Sequence, residues 1–127
     1  MINKVRTNVP DRMKCVNLRM VIDDRRVNTN LDYHETETGC IPMAVWSRVR
    51  PNESTLDREL RAEGKMTSLL LQYGCSLKEV AETLGKDSII GAVTNYLHKN
   101  IIDILNDVNN PKVDKVPRLS TDPYRIK

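Results

Sequence analysis

The sequence predicts an α+β fold: a three-stranded antiparallel β-meander followed by three helices packed on one sheet face. Three observations predict it. Residues 14–49 fall into three runs that alternate apolar and polar, with polar breaks between them. Residues 51–106 then change to helical spacing, with caps and glycine stops at the breaks. A length of 127 residues suits one domain with a modest core.

Residues 1–12 read as a polar lead-in. In 14–22, Val16, Leu18, Met20 and Ile22 share one parity and Asn17 and Arg19 the other. Asp23 to Arg26 make a polar turn. In 27–35, Val27, Leu31 and Tyr33 oppose Asn28, Asn30, Asp32 and His34. A threonine-rich loop ends at Gly39. In 40–49, Ile41, Met43, Val45 and Val49 share a parity. Pro42 cannot donate to a ladder, so it suits an edge strand or a strand start.

The apolar face of this meander needs a cover. The first helix, 51–74, opens at Ser54 or Thr55 as a cap. Its apolar residues are Leu56, Leu60, Met66, Leu69, Leu70 and Tyr73. Gly64 sits mid-helix, at a cost of about 1 kcal/mol against alanine. It marks either close packing against the sheet or a weak point. Gly74 ends the helix. Ser76 and Glu79 have the spacing of a capping box, Leu77, Val80, Ala81 and Leu84 form a stripe, and Gly85 stops it. The third helix, 88–106, carries Ile89, Ile90, Val93, Leu97, Ile101 and Leu105. Residues 1–107 thus form one domain. Residues 108–127 hold three prolines and no periodicity, and read as an extended or disordered tail. A solvated end is preferred for it. Docking as an extended peptide through Leu119, Tyr124 and Ile126 is the other option.

Phenylalanine is absent, so the core must be built from Leu, Ile, Val and Met. The net charge of +3, with no long basic run, points only weakly to nucleic acid. Cys15, Cys40 and Cys75 are widely spaced, and the start carries no export signal. Both suggest a reducing, cytoplasmic setting. No apolar run is long enough for a membrane span.

The second and third helices together sound like a helix-turn-helix. The start of the third reads Asp87, Ser88, Ile89, Ile90, Gly91. An acidic residue there opposes phosphate, and isoleucines cannot read base edges. A core helix is the expectation. Lys86, Asn95 and Lys99 remain the residues through which a nucleic-acid alternative would act.

Taken as one block, "CVNLRMVIDDRRVNTNLDY", "IPMAVWSRVRPNESTLDREL", "LLLQYGCSLKEVAETL" and "DSIIGAVTNYL" resemble the TSCPD-type domain. That domain occurs at the C-terminus of cobalamin-dependent (class II) ribonucleotide reductases and as small stand-alone bacterial and phage proteins. The likeness spans roughly residues 8–105. Residues 68–84 are similar to its "SLALQxGxPLE" element, and 88–91 to its "SPIGA" stretch without the proline. The Thr-Ser-Cys-Pro-Asp motif itself is absent, as is the reductase's catalytic machinery. The resemblance therefore implies a fold and a link to nucleotide metabolism, not reductase activity.

Candidate chemistry is sparse. Cys75 lies near a helix start, where a thiol can be activated, but a small residue at a tight turn explains it as well. Cys15, Cys40 and His34 lack the close ligand pair of a zinc site, so neither metal nor cofactor is expected. His98, near Lys99 and Asp103, reads as a solvated or interface residue. Trp46, Arg48 and Arg50 share the parity opposite Val45, and Arg19, Asn28, Asn30 and Asp32 would lie on the same sheet face. An exposed Trp flanked by arginines is a contact patch for a protein or for stacked bases. Burial of Trp46 by the N-terminal arm or by a second subunit is the alternative, and the preferred one. The functional expectation is a non-catalytic protein-binding or regulatory module of bacterial or phage origin. The alternative is a small nucleic-acid binder, and an enzyme ranks last. A homodimer, formed by strand pairing, would cover the sheet's open edge.

Overall fold

The computed structural model describes residues 13–37, 39–50, 54–85, 87–109 and 116–121. The lead-in, Lys86, and the tail positions Tyr124 and Ile126 lie outside the described residues. The fold is α+β. Strands β1 (Lys14–Ile22), β2 (Arg25–Thr36) and β3 (Gly39–Arg50) are followed by helices α1 (Ser54–Gln72), α2 (Leu77–Leu84) and α3 (Ile89–Asn109), then by β4 (Arg118–Leu119). The first three strands form the expected antiparallel meander. β4 joins it in parallel on the far side of β1, giving a mixed sheet in the order β3-β2-β1-β4.

One sheet face is the core. Met20, Ile22, Val27, Leu31, Val45 and Val49 are fully buried there, and α2 and α3 bring Val80, Ile90, Val93 and Leu97 against them. The expected aliphatic core is present, with a buried Thr29–Ser47 hydroxyl pair at 2.9 Å between β2 and β3. α3 is a core helix, and its Ile90, Val93 and Leu97 are inaccessible. That answers the helix-turn-helix question at the level of packing.

Strand parity departs from expectation at one point. The β2–β3 register slips between Asp32 and Tyr33: Asp32 faces Ala44 but Tyr33 faces Pro42. The extra residue on β3 is a bulge, which reverses parity beyond it. Met43 stays buried, while Ile41 lands opposite His34 and is 46% exposed. It is not a core residue.

α1 departs further. It runs along the outer edge of β3, not flat on the sheet face with the other two helices. Val49 N–H donates to Asp57 Oδ1 and Val45 N–H to Ser68 Oγ, each at 3.1 Å. Gln72 Nε2 donates to the Met43 carbonyl at 3.2 Å. Residues 43, 45 and 49 thus find on a helix the partners a further strand would supply. The polar side chains interrupting α1's apolar pattern cap the sheet edge. These three positions of β3 are therefore closed to strand pairing. Gly64 fits the close-packing option: an added Cβ would lie 3.2 Å from both Trp46 Cε3 and the Val45 carbonyl oxygen. Ser54 and Thr55 are the first helical residues rather than the cap.

The α2 capping box is complete. Glu79 N–H donates to Ser76 Oγ at 3.0 Å, and Ser76 N–H to Glu79 Oε1 at 3.1 Å. Residues 117–121 of the expected tail lie against the sheet. Val21 N–H donates to the Pro117 carbonyl at 2.9 Å, and Thr121 N–H to Asp23 Oδ1 at 3.0 Å.

Candidate functional site

The meander register assembles a polar surface on the sheet face away from the core. Arg19 pairs with Asn28 and Asn28 with Arg48. One step along, Asn17, Asn30 and Trp46 form the next row; on the other side, Val21, Arg26 and Arg50 form a third. Side-chain alternation puts these nine positions on one face. They hold four arginines and three asparagines, and no carboxylate. The first acid on this face, Asp32, lies a further row away, beside Cys15 and Ala44.

The four guanidiniums are exposed and crowded. Arg48 and Arg50 are two residues apart on one strand, roughly 7 Å. Arg26 and Arg50 are direct cross-strand neighbours, and like charges so placed oppose each other. None of the four is in an ion pair within the described residues. Arg61 of α1 adds a further cation at a cleft of about 250 Å³ that it shares with Trp46, Arg48 and Asp57.

The candidate patch of Arg19, Trp46, Arg48 and Arg50 is thus brought together on one face. Trp46 differs from its companions. Its ring edge lies against Gly64 of α1, so the indole is half-buried as a wedge between helix and sheet. Arg26 and Arg61 were not singled out from the sequence. Arg26 was read as part of a turn, yet the turn is only Asp23 and Asp24, both with positive φ, and β2 starts at Arg25. Arg61 reaches the face only because α1 sits at the edge.

The nucleic-acid alternative is divided. Asn95 and Lys99 line a cleft of about 440 Å³ between α2 and α3, with Lys78, Glu82 and His98; Lys86 is outside the described residues. His98 is exposed there, which suits a solvated residue as well as an interface one. A larger open groove of about 650 Å³ lies between the β2–β3 turn and the last turns of α3. Glu35 and Glu37 edge it, and Pro42, Leu77, Ile101 and Ile102 form its apolar walls.

The three cysteines are free and separate. Cys15 faces Asp32 across β1 and β2, while Cys40 pairs with Glu35 at the far end of the β2–β3 hairpin. Burial, then the hydrogen bond with Asp32, pushes the Cys15 thiol above its ordinary pKa. Burial, then the Glu35 charge, does the same to Cys40. Such thiols are poor nucleophiles at neutral pH. Among the described residues no three His, Cys, Asp or Glu come together to hold a metal. No helix among them is long and apolar enough to cross a membrane.

Compared with known proteins, the chain matches no family model, no curated protein and no solved structure. The fold and the surface define its class on their own: an α+β chain with one sheet face packed and the other bearing arginine.

Proposed function

We propose that this chain is a non-catalytic protein-binding module of the bacterial or phage cytoplasm, allied to the TSCPD-type domain associated with ribonucleotide reductases. The partner presents an acidic surface to Arg19, Arg48 and Arg50, with Arg26 and Arg61 at the margin. One observation carries this reading: nine adjacent positions on the sheet face away from the core hold four arginines and no acid. Crowded like charges oppose folding, and an anionic partner relieves that repulsion while gaining charge-assisted hydrogen bonds. Arginine suits protein contacts because its planar fork engages carboxylates in two bonds at once. A protein is favoured over single-stranded nucleic acid because sheet binding of bases needs free aromatic rings. Among the described residues Trp46 is the one aromatic on this face, and α1 half covers it.

The test is affinity capture with the tagged chain from its native host, read by mass spectrometry, alongside Arg19→Glu/Arg48→Glu. The reading expects a partner that the double variant loses while still unfolding cooperatively. A partner held equally by both chains counts against the face. Arg48 is a cleaner probe than Trp46, whose removal also opens a gap beneath Gly64.

Lys78 and Lys99 flanking Asn95 in the α2–α3 cleft support a second reading, binding of nucleic acid. Polarisation titration against salt separates the two. Phosphate contacts give a steep negative dependence of log K on log salt, and Lys99→Glu should flatten it.

A further inference from the structure

α1 has a second face. Its buried line runs through Leu60, Gly64 and Leu71 toward β3. Ala62, Met66 and Leu69 recur on the opposite side, since about 100° per residue sets Ala62 and Leu71 half a turn apart, and Tyr73 extends this side in the turn after α1, its N–H still bonded to the Leu69 carbonyl. Met66 is 66% exposed and Leu69 43%. Helical spacing predicts that Met66 and Leu69 cover the sheet, and they face away from it. Beside this apolar stripe the same angular count places Arg58, Arg61 and Lys65 along one flank and Glu59 and Glu63 along the other. None of these five is ion-paired within the described residues. Partial burial, then the neighbouring Glu59 charge, pushes the Glu63 carboxyl above its ordinary pKa.

We propose that this face is a homodimer contact in which α1 packs on the α1 of a second copy with the two helices parallel. Charge complementarity selects both the occupant and the orientation. A two-fold axis along the helix pair sets the acidic flank of each copy against the basic flank of the other. The antiparallel arrangement sets basic flank on basic and acidic on acidic. Only the parallel pair brings cations to the Glu59–Glu63 flank. Strand pairing across β3 is not the route, because Asp57, Ser68 and Gln72 already occupy that edge. A single helix face buries less than the ~800 Å² per partner of a standard interface, so the dimer is expected in the micromolar range. It holds whether or not the arginine face binds a protein.

Sedimentation equilibrium of the full chain, from micromolar to hundreds of micromolar, tests this. The expected result is a reversible dimer that Met66→Glu/Leu69→Glu abolishes, with unfolding of the dilute chain unchanged. Glu59→Lys/Glu63→Lys should weaken it about ten-fold or more, and adding Arg58→Glu/Lys65→Glu to that chain should restore it. With the three native cysteines replaced by serine, Ala62→Cys and Tyr73→Cys should each crosslink to their own copy. A monomer at every concentration overturns the proposal. So does a dimer indifferent to Met66→Glu/Leu69→Glu, or crosslinking at one of the two cysteines only.

Discussion

Gly91 stands where no side chain fits. A Cβ there would lie 1.8 Å from the Gly85 carbonyl oxygen and 2.7 Å from Ser88 Oγ. Ser88 ties this corner: its hydroxyl donates to that carbonyl at 3.1 Å and accepts the Gly91 N–H at 3.0 Å. Gly91→Ala must push the α2–α3 turn apart and strip the start of α3. A loss of about 2–3 kcal/mol is expected in urea unfolding, and an unchanged midpoint would contradict the packing. Asp23 acts in the β1–β2 turn. It holds φ at 50°, and its carboxylate accepts from the Thr121 backbone and hydroxyl. Partial burial acts to raise its pKa, but the Thr121 and Ser120 hydrogen bonds and the Arg25 charge outweigh it, so the carboxyl sits below its ordinary value. A depressed folded-state pKa means the anchor is at full strength above the unfolded-state value and is lost as pH falls through the folded one. The Thr121 amide resonance should therefore follow an acid titration centred below the usual aspartate range. Asp23→Asn should abolish that titration.

Among the elements, α1 carries the most consequence. Ser68→Ala leaves the buried Val45 N–H without its acceptor, at a cost of about 1–3 kcal/mol. Met66→Ala, two residues away on the outer face, should change unfolding by less than about 0.5 kcal/mol. Equal effects from the two would contradict the edge-capping geometry. α1 also shows where sequence reading reaches its limit. The meander was legible because strand alternation is local, and α2 because Ser76, Glu79 and Gly85 mark its ends. The bulge at Asp32 and Tyr33 was not legible, since a parity count carries no register. α1 holds two apolar lines, Leu60–Leu71 and Met66–Leu69–Tyr73, which merge into one stripe when only spacing is counted. Asp57, Ser68 and Gln72 were the signal separating them: polar residues beside the first line that only a strand edge explains. The arginine face was half legible. Parity placed Arg19 with Arg48 and Arg50, but Arg26 depended on a turn of two residues rather than four, and Arg61 on where α1 lies.

At the scale of the whole molecule, charge and apolar surface are segregated. Among the described residues, α2 and α3 cover one sheet face, α1 and β4 close parts of its two edges, and the other face bears the arginines. A modest net charge of +3 conceals this concentration, since acids elsewhere offset it. Removing repulsion on that face should stabilise the free chain even as it weakens the partner. Arg26→Gln is expected to raise the thermal midpoint slightly in low salt, and less so as salt screens the pair with Arg50. The most direct measurement is arginine-specific chemical labelling, read by mass spectrometry on the free chain and on the chain bound to its captured partner. The account predicts that Arg19, Arg48 and Arg50 label readily alone and are protected together in the complex, while Arg58 is unchanged. Protection absent from all three, with the partner still bound, would contradict it.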